Sequence, residues 1–120
     1  GTTPLFVACQ ESRLECVRLL LGASAAVNQA MENGATPLYV ACEKGQLECI
    51  QLLLETNAAV NQANVNGATP LYVACWKGQL EIVQLLLEAD AAVDQAENGG
   101  ATPLYIACQQ GHLECVQLIL

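Results

Sequence analysis

The residues of this chain that could do chemistry are seven cysteines, a single histidine, two serines and a ladder of carboxylates. Cys9, Cys42, Cys75 and Cys108 recur at one fixed step, and so do Cys16, Cys49 and Cys115, with Ile82 in the fourth place of that second series. A position shared by Cys and Ile serves as a small hydrophobe. If equivalent residues sit one helix spacing apart, about 8–10 Å, pairing along a ladder exceeds the Cα separation of about 7 Å that a disulfide tolerates. Contact between the two ladders within one repeat, such as Cys42 with Cys49, stays open. The odd count and the lack of a Cys-x-x-Cys pair argue against structural zinc, and no cofactor is expected. Reduced, buried thiols in an intracellular protein are the expectation.

Catalysis needs a nucleophile, a base and an orienting group held together. His112 occupies a slot filled by Arg13, Gln46 and Gln79 in the other copies, which marks it as a repeat position rather than a base. Ser12 and Ser24 fall in connections. Glu15, Glu48, Glu81 and Glu114 recur at the full period, too far apart for paired acid–base work, and suit solvated helix starts. An enzyme is therefore the third and most distant reading.

The same period governs the rest of the chain. Thr3-Pro4-Leu5, Thr36-Pro37-Leu38, Thr69-Pro70-Leu71 and Thr102-Pro103-Leu104 follow one another at 33 residues, which divides the chain into repeats 1–30, 31–63, 64–96 and 97–120 of one stacked domain. Residues 1–120 are 53% apolar with few aromatics, so Leu, Val, Ala and Cys must build the core. No apolar run approaches the roughly 18 residues of a membrane span, and Gly1-Thr2-Thr3-Pro4 already belongs to the first repeat rather than to a signal peptide. A net charge of −8 and only four scattered cations, Arg13, Arg18, Lys44 and Lys77, argue against nucleic acid. That acidity either steers a basic protein partner or simply keeps the chain soluble.

Within one repeat the elements read clearly. Asn33-Gly34 signals a turn, as both residues tolerate positive φ. Thr36 suits a helix N-cap and Pro37 the first helical position. A short helix follows through Cys42, and Gly45 ends it. A second helix runs from about Leu47 through Leu54, with Leu47, Ile50, Leu53 and Leu54 on one buried face. Asn57, Ser24 and Asp90 occupy its terminating position, and Val60 anchors the connector. The expected fold is all-α, helix pairs stacked in chain order with turns projecting from them.

The units NGATPLYVACEKGQLECIQLLLETNAAVNQA and NGATPLYVACWKGQLEIVQLLLEADAAVDQA resemble ankyrin repeats. The resemblance rests on the Gly-x-Thr-Pro-Leu opening, the mid-repeat Gly, the Leu triplet and the Ala-x-Val-Asn ending, and it spans the chain. It implies an ankyrin-repeat solenoid of antiparallel helix pairs with projecting β-turns, whose members mostly bind other proteins. It also implies that Asn28 and Asn61 lie in segments like those that asparaginyl hydroxylases modify in some ankyrin repeats. Where the family usually has His after Pro-Leu, this chain has Phe6, Tyr39, Tyr72 and Tyr105; a tyrosine can still donate one hydrogen bond to a neighbouring repeat, whereas Phe6 cannot. Gln29, Gln62 and Gln95 also depart from the family's usual Ala. Neither terminal repeat shows a distinct polar cap, so end-to-end self-association or poor solubility is expected.

Comparison of the near-identical middle copies singles out the partner-binding candidates. Glu43 in one is Trp76 in the next, and Trp is enriched among interface anchors. The resemblance puts this position on the concave face beside the turn tips. The candidate face comprises Trp76, Lys77, Glu43, Lys44, Val65, Asn66, Glu32 and Asn33, against the alternative that Trp76 lies flat over a neighbouring repeat. Two functional readings follow: a module that binds a protein partner through this face, and an engineered or consensus-like scaffold with no native partner.

Overall fold

The computed structural model describes all 120 residues as eight helices and no strands: α1 (Pro4–Gln10), α2 (Leu14–Gly22), α3 (Pro37–Lys44), α4 (Leu47–Glu55), α5 (Pro70–Lys77), α6 (Leu80–Glu88), α7 (Pro103–Gln109) and α8 (Leu113–Ile119). No helix is long and apolar enough to cross a membrane.

The odd-numbered helices all start by one device. Thr3, Thr36, Thr69 and Thr102 hold extended backbone, and each Oγ1 accepts a hydrogen bond of 3.1 Å from the N–H three residues on. The proline behind each threonine occupies a first-turn position whose missing N–H has no partner to lose. α3 and α5 end where Gly45 and Gly78 turn left-handed, with φ of 72° and 71°. Ser12 takes φ 60° at that place in the first repeat, and Ser24, Asn57 and Asp90 take 63° to 65° after α2, α4 and α6. Short polar side chains that can bond locally are the non-glycine types that tolerate this region best.

The projecting turns differ from expectation in one respect. Of the Asn33-Gly34 pair only the glycine uses positive φ, at 82°, as Gly67 does at 81° in the next turn. Asn33 contributes through its side chain, whose Oδ1 accepts from Ala35 N–H at 2.9 Å. Glycine is demanded at this point twice over, because a Cβ on Gly34 would come within 2.8 Å of the Val65 backbone nitrogen.

Packing follows the sequence order. α1, α3, α5 and α7 lie side by side in one layer, each helix packs on its own even-numbered partner, and α2, α4, α6 and α8 form the second layer. The stack measures 39 × 26 × 22 Å. One continuous core runs through it, with Leu38, Ile50, Leu53, Leu71, Val83 and Leu86 fully covered and Val60 packed at its margin. No single helix pair could bury these faces alone; the neighbouring repeat completes each one.

The cysteines correct one expectation. All seven are free, but Cys16 and Cys108 are exposed while the other five are buried. The Cys9 series is covered by the repeat that follows and the Cys16 series by the repeat that precedes, which leaves these two members uncovered. The two ladders come near each other across repeats, Cys9 with Cys49 and Cys75 with Cys115. Burial, then the neighbouring thiol, pushes Cys9 and Cys75 up to about 12. Thiols at such values are poor nucleophiles, which suits a packing role.

Candidate protein-binding face

All eight candidate residues are exposed. Trp76 and Lys77 are the last two residues of α5, and Glu43 and Lys44 the last two of α3. Val65 and Asn66 lie in the turn that precedes α5, and Glu32 and Asn33 in the turn that precedes α3. The eight thus form two rows, at opposite ends of helices about 12 Å long (eight residues at roughly 1.5 Å rise). Trp76 is 49% exposed and Val65 60% exposed. These are sizeable apolar surfaces left to solvent on a chain that otherwise buries its large residues in the middle repeats.

A third row connects the two, and comparison of the copies does not reveal it. Tyr39 and Tyr72 are half-buried and Tyr105 is 57% exposed. Tyr39 stands four residues before Glu43 and Tyr72 four before Trp76, so each pair shares one helix face. Burial raises the Tyr39 phenol above its ordinary value, with Glu43 the next contributor and Tyr72 after it. Burial likewise raises Tyr72, with Glu97 and then Tyr105 adding to it. The signal in the sequence is the i, i+4 spacing, which is masked when the tyrosines are considered only as replacements for histidine.

Those tyrosines do not supply the inter-repeat hydrogen bonds expected of them. Other residues do. Asn28 Oδ1 accepts from Ala59 N–H at 2.8 Å and Asn61 Oδ1 accepts from Ala92 N–H at 2.8 Å, each tying one repeat to the next. The Gln62 and Gln95 side chains donate to the Asn28 and Asn61 carbonyls at 3.4 and 3.3 Å, which accounts for glutamine at these places. Gln46 Nε2 donates to the Gln10 carbonyl at 3.3 Å, and His112 Nε2 meets the Trp76 carbonyl at 3.0 Å. His112 is thus a connector that fixes the end of α5.

The turn tips are fixed as well. Val65 N–H donates to Asn33 O and Asn98 N–H to Asn66 O, both at 2.9 Å, and Asn98 Nδ2 donates to Val65 O at 2.9 Å. Glu97 Oε1 accepts from Ala101 N–H at 2.8 Å, so its carboxylate is held in place. Chemically the face offers aromatic rings, carboxylates and two lysines on a rigid support. No three His, Cys, Asp or Glu side chains converge as metal ligands would. The largest open depression, about 660 Å³, is lined by Val7, Cys16, Leu19 and Leu20 in the first repeat and includes none of the eight candidates.

This architecture defines a stacked helix-pair solenoid. A family model described as ankyrin repeats (3 copies) matches residues 1–64 and again 57–120, and the chain belongs to the ankyrin-repeat family. That family is one of protein–protein interaction modules rather than enzymes. No curated protein sequence matches the chain significantly.

Proposed function

We propose that this protein binds a protein partner through the exposed face of the α1–α3–α5–α7 layer and the turn tips, with Trp76 as anchor. Lys77, Glu43 and Lys44 flank it along the helix ends, and Val65, Asn66, Glu32 and Asn33 supply the tip contacts. The half-exposed Trp76 carries the reading. Hot spots are enriched in Trp, and an indole on the rigid end of a helix loses little further freedom on binding. The chain's net charge of −8 favours a basic partner surface. Affinity capture with the parent chain beside a Trp76→Ala, Lys77→Glu variant of equal helicity tests it. A partner retained by the first and lost by the second is the expected result. Equal capture by both leaves a scaffold with no partner on this face.

End-to-end self-association is a second proposal, supported by Leu19 at 74% and Leu113 at 67% exposure in the outer repeats. A monomer by sedimentation at tens of micromolar removes it. A reducing, intracellular compartment fits the free buried thiols, and subcellular fractionation checks that. Hydroxylation at Asn28 or Asn61 would show as added oxygen in intact mass.

A further inference from the structure

The two end faces of the stack are the two halves of the interface that recurs inside it. On the first face Pro4, Val7, Cys16 and Leu19 are exposed, while their counterparts in the second and third repeats are covered wholly or in part. Val7 is 42% exposed against 2% for Val40 and 1% for Val73. On the last face Tyr105, Cys108 and Leu113 are exposed, whereas Tyr72, Cys75 and Leu80 lie half-buried or buried one repeat earlier. Each inner interface seats a face of the second kind on a face of the first, α1 on α3 and α2 on α4 and so on along the stack.

Arg13 supplies a register. In two of the later repeats its slot holds a side chain that reaches the carbonyl near the end of the preceding odd-numbered helix. Gln46 Nε2 donates to Gln10 O at 3.3 Å, and His112 Nε2 meets Trp76 O at 3.0 Å, each across 36 residues. Arg13 is exposed and lines the apolar depression of the first face with Val7, Cys16 and Leu19. A guanidinium is a donor only, so the bond its slot makes elsewhere is open to it. Gln109 stands in α7 where Gln10 stands in α1 and Trp76 in α5, and α7 borders the last face.

Charge agrees with that pairing. Residues 1–30 carry Arg13 and Arg18 against two glutamates, and residues 97–120 carry Glu97 and Glu114 with no lysine or arginine. Two first faces in contact set arginine against arginine, and two last faces set acidic repeat against acidic repeat. Only unlike ends are complementary.

We propose, resting on the reading that the chain associates end to end, that the first-repeat face takes the last-repeat face of a second copy, docked head to tail in the register of the inner repeats, with Arg13 of one copy on the Gln109 carbonyl of the other and Cys16 and Cys108 covered together. A contact between unlike faces leaves one of each free, so copies add in series rather than stopping at a dimer.

Sedimentation of the intact, reduced chain at tens of micromolar tests association, and a short bis-maleimide added to the same sample reads its register. Such a reagent does not link Cys16 to Cys108 within one copy, since they lie on opposite end faces of a stack 39 Å long. A mixture of Cys16→Ala and Cys108→Ala chains should give linked dimers, and neither variant alone should. Val7→Glu should weaken association about tenfold or more by placing a charge in an apolar contact, and Arg13→Glu about tenfold by removing the donor. Arg13→Gln, which installs the residue found in the second and third repeats, should leave it nearly unchanged. Links formed within a single variant, or association unaltered by Val7→Glu and Arg13→Glu in chains of normal helicity, overturn the head-to-tail register while self-association stands. A chain that sediments as a monomer removes both.

Discussion

The Nε2 of His112 lies 3.0 Å from the backbone carbonyl oxygen of Trp76, so a side chain of the fourth repeat fixes the end of the helix that presents the proposed anchor. The carbonyl is an acceptor only, so the imidazole carries its proton on Nε2. Gln46 does the same for the first repeat through its bond to the Gln10 carbonyl.

His112→Ala should therefore lower the unfolding free energy by about 1 kcal/mol, the net worth of a typical hydrogen bond. His112→Gln should recover most of it, since an amide nitrogen can reach the same carbonyl. Urea midpoints of the three chains decide this, and no difference between Ala and His would remove the connector role.

A larger cost is expected at Asn61. Asn61→Ala leaves the Ala92 N–H without its 2.8 Å partner, and an unsatisfied partly buried donor costs about 1–3 kcal/mol. Asn61→Asp keeps the acceptor and should cost less. Gln95→Ala, which removes only the longer 3.3 Å bond, should be the mildest of the three by chemical denaturation.

Gly78 and Gly111 form a controlled pair. Both hold positive φ, 71° and 75°, but a Cβ on Gly78 would lie 2.5 Å from His112 Nδ1, while Gly111 has open space. Gly111→Ala should cost about 1 kcal/mol for the left-handed backbone alone. Gly78→Ala should cost more, because the His112 ring must also leave its carbonyl. Calorimetry on the two variants separates strain from displacement.

Thiol chemistry should divide the cysteines in two. Cys16 and Cys108 are exposed and should be the pair labelled in the folded chain by a thiol reagent, with Cys9, Cys42, Cys49, Cys75 and Cys115 protected until unfolding. The buried thiols also set a pH dependence. Cys9 and Cys75 rise from the ordinary 9.0 to about 12 on folding, chiefly through desolvation, so the unfolded chain releases these protons first. Their contribution to stability is complete below about pH 9 and is lost as pH climbs from there towards 12. Urea midpoints at about pH 7 and pH 10 should show the fall, and Cys75→Val should flatten it. A midpoint unchanged over that interval would count against burial of these thiols.

Much of the fold was legible because local chemistry and the repeat period agree. Thr36 before Pro37, Gly45 after Lys44 and Asn57 after α4 each satisfy a backbone need that is local in sequence, so these positions mark the elements directly. The candidate face was only partly legible. Trp76 stood out because its counterpart is Glu43, but Tyr39, Tyr72 and Tyr105 vary so little between copies that comparison gave no contrast.

The repeat, the caps, the two helical faces and the series to which each cysteine belongs follow from residue order, since all of these depend on contacts within a few residues or on one fixed step. Which neighbours meet across that step emerges from the folded stack. Asn28 reaches Ala59, Asn61 reaches Ala92, and Asn98 reaches Val65. Each of these pairings depends on how one repeat is offset and rotated on the next, and that geometry is set by packing of the whole interface rather than by any local run of residues.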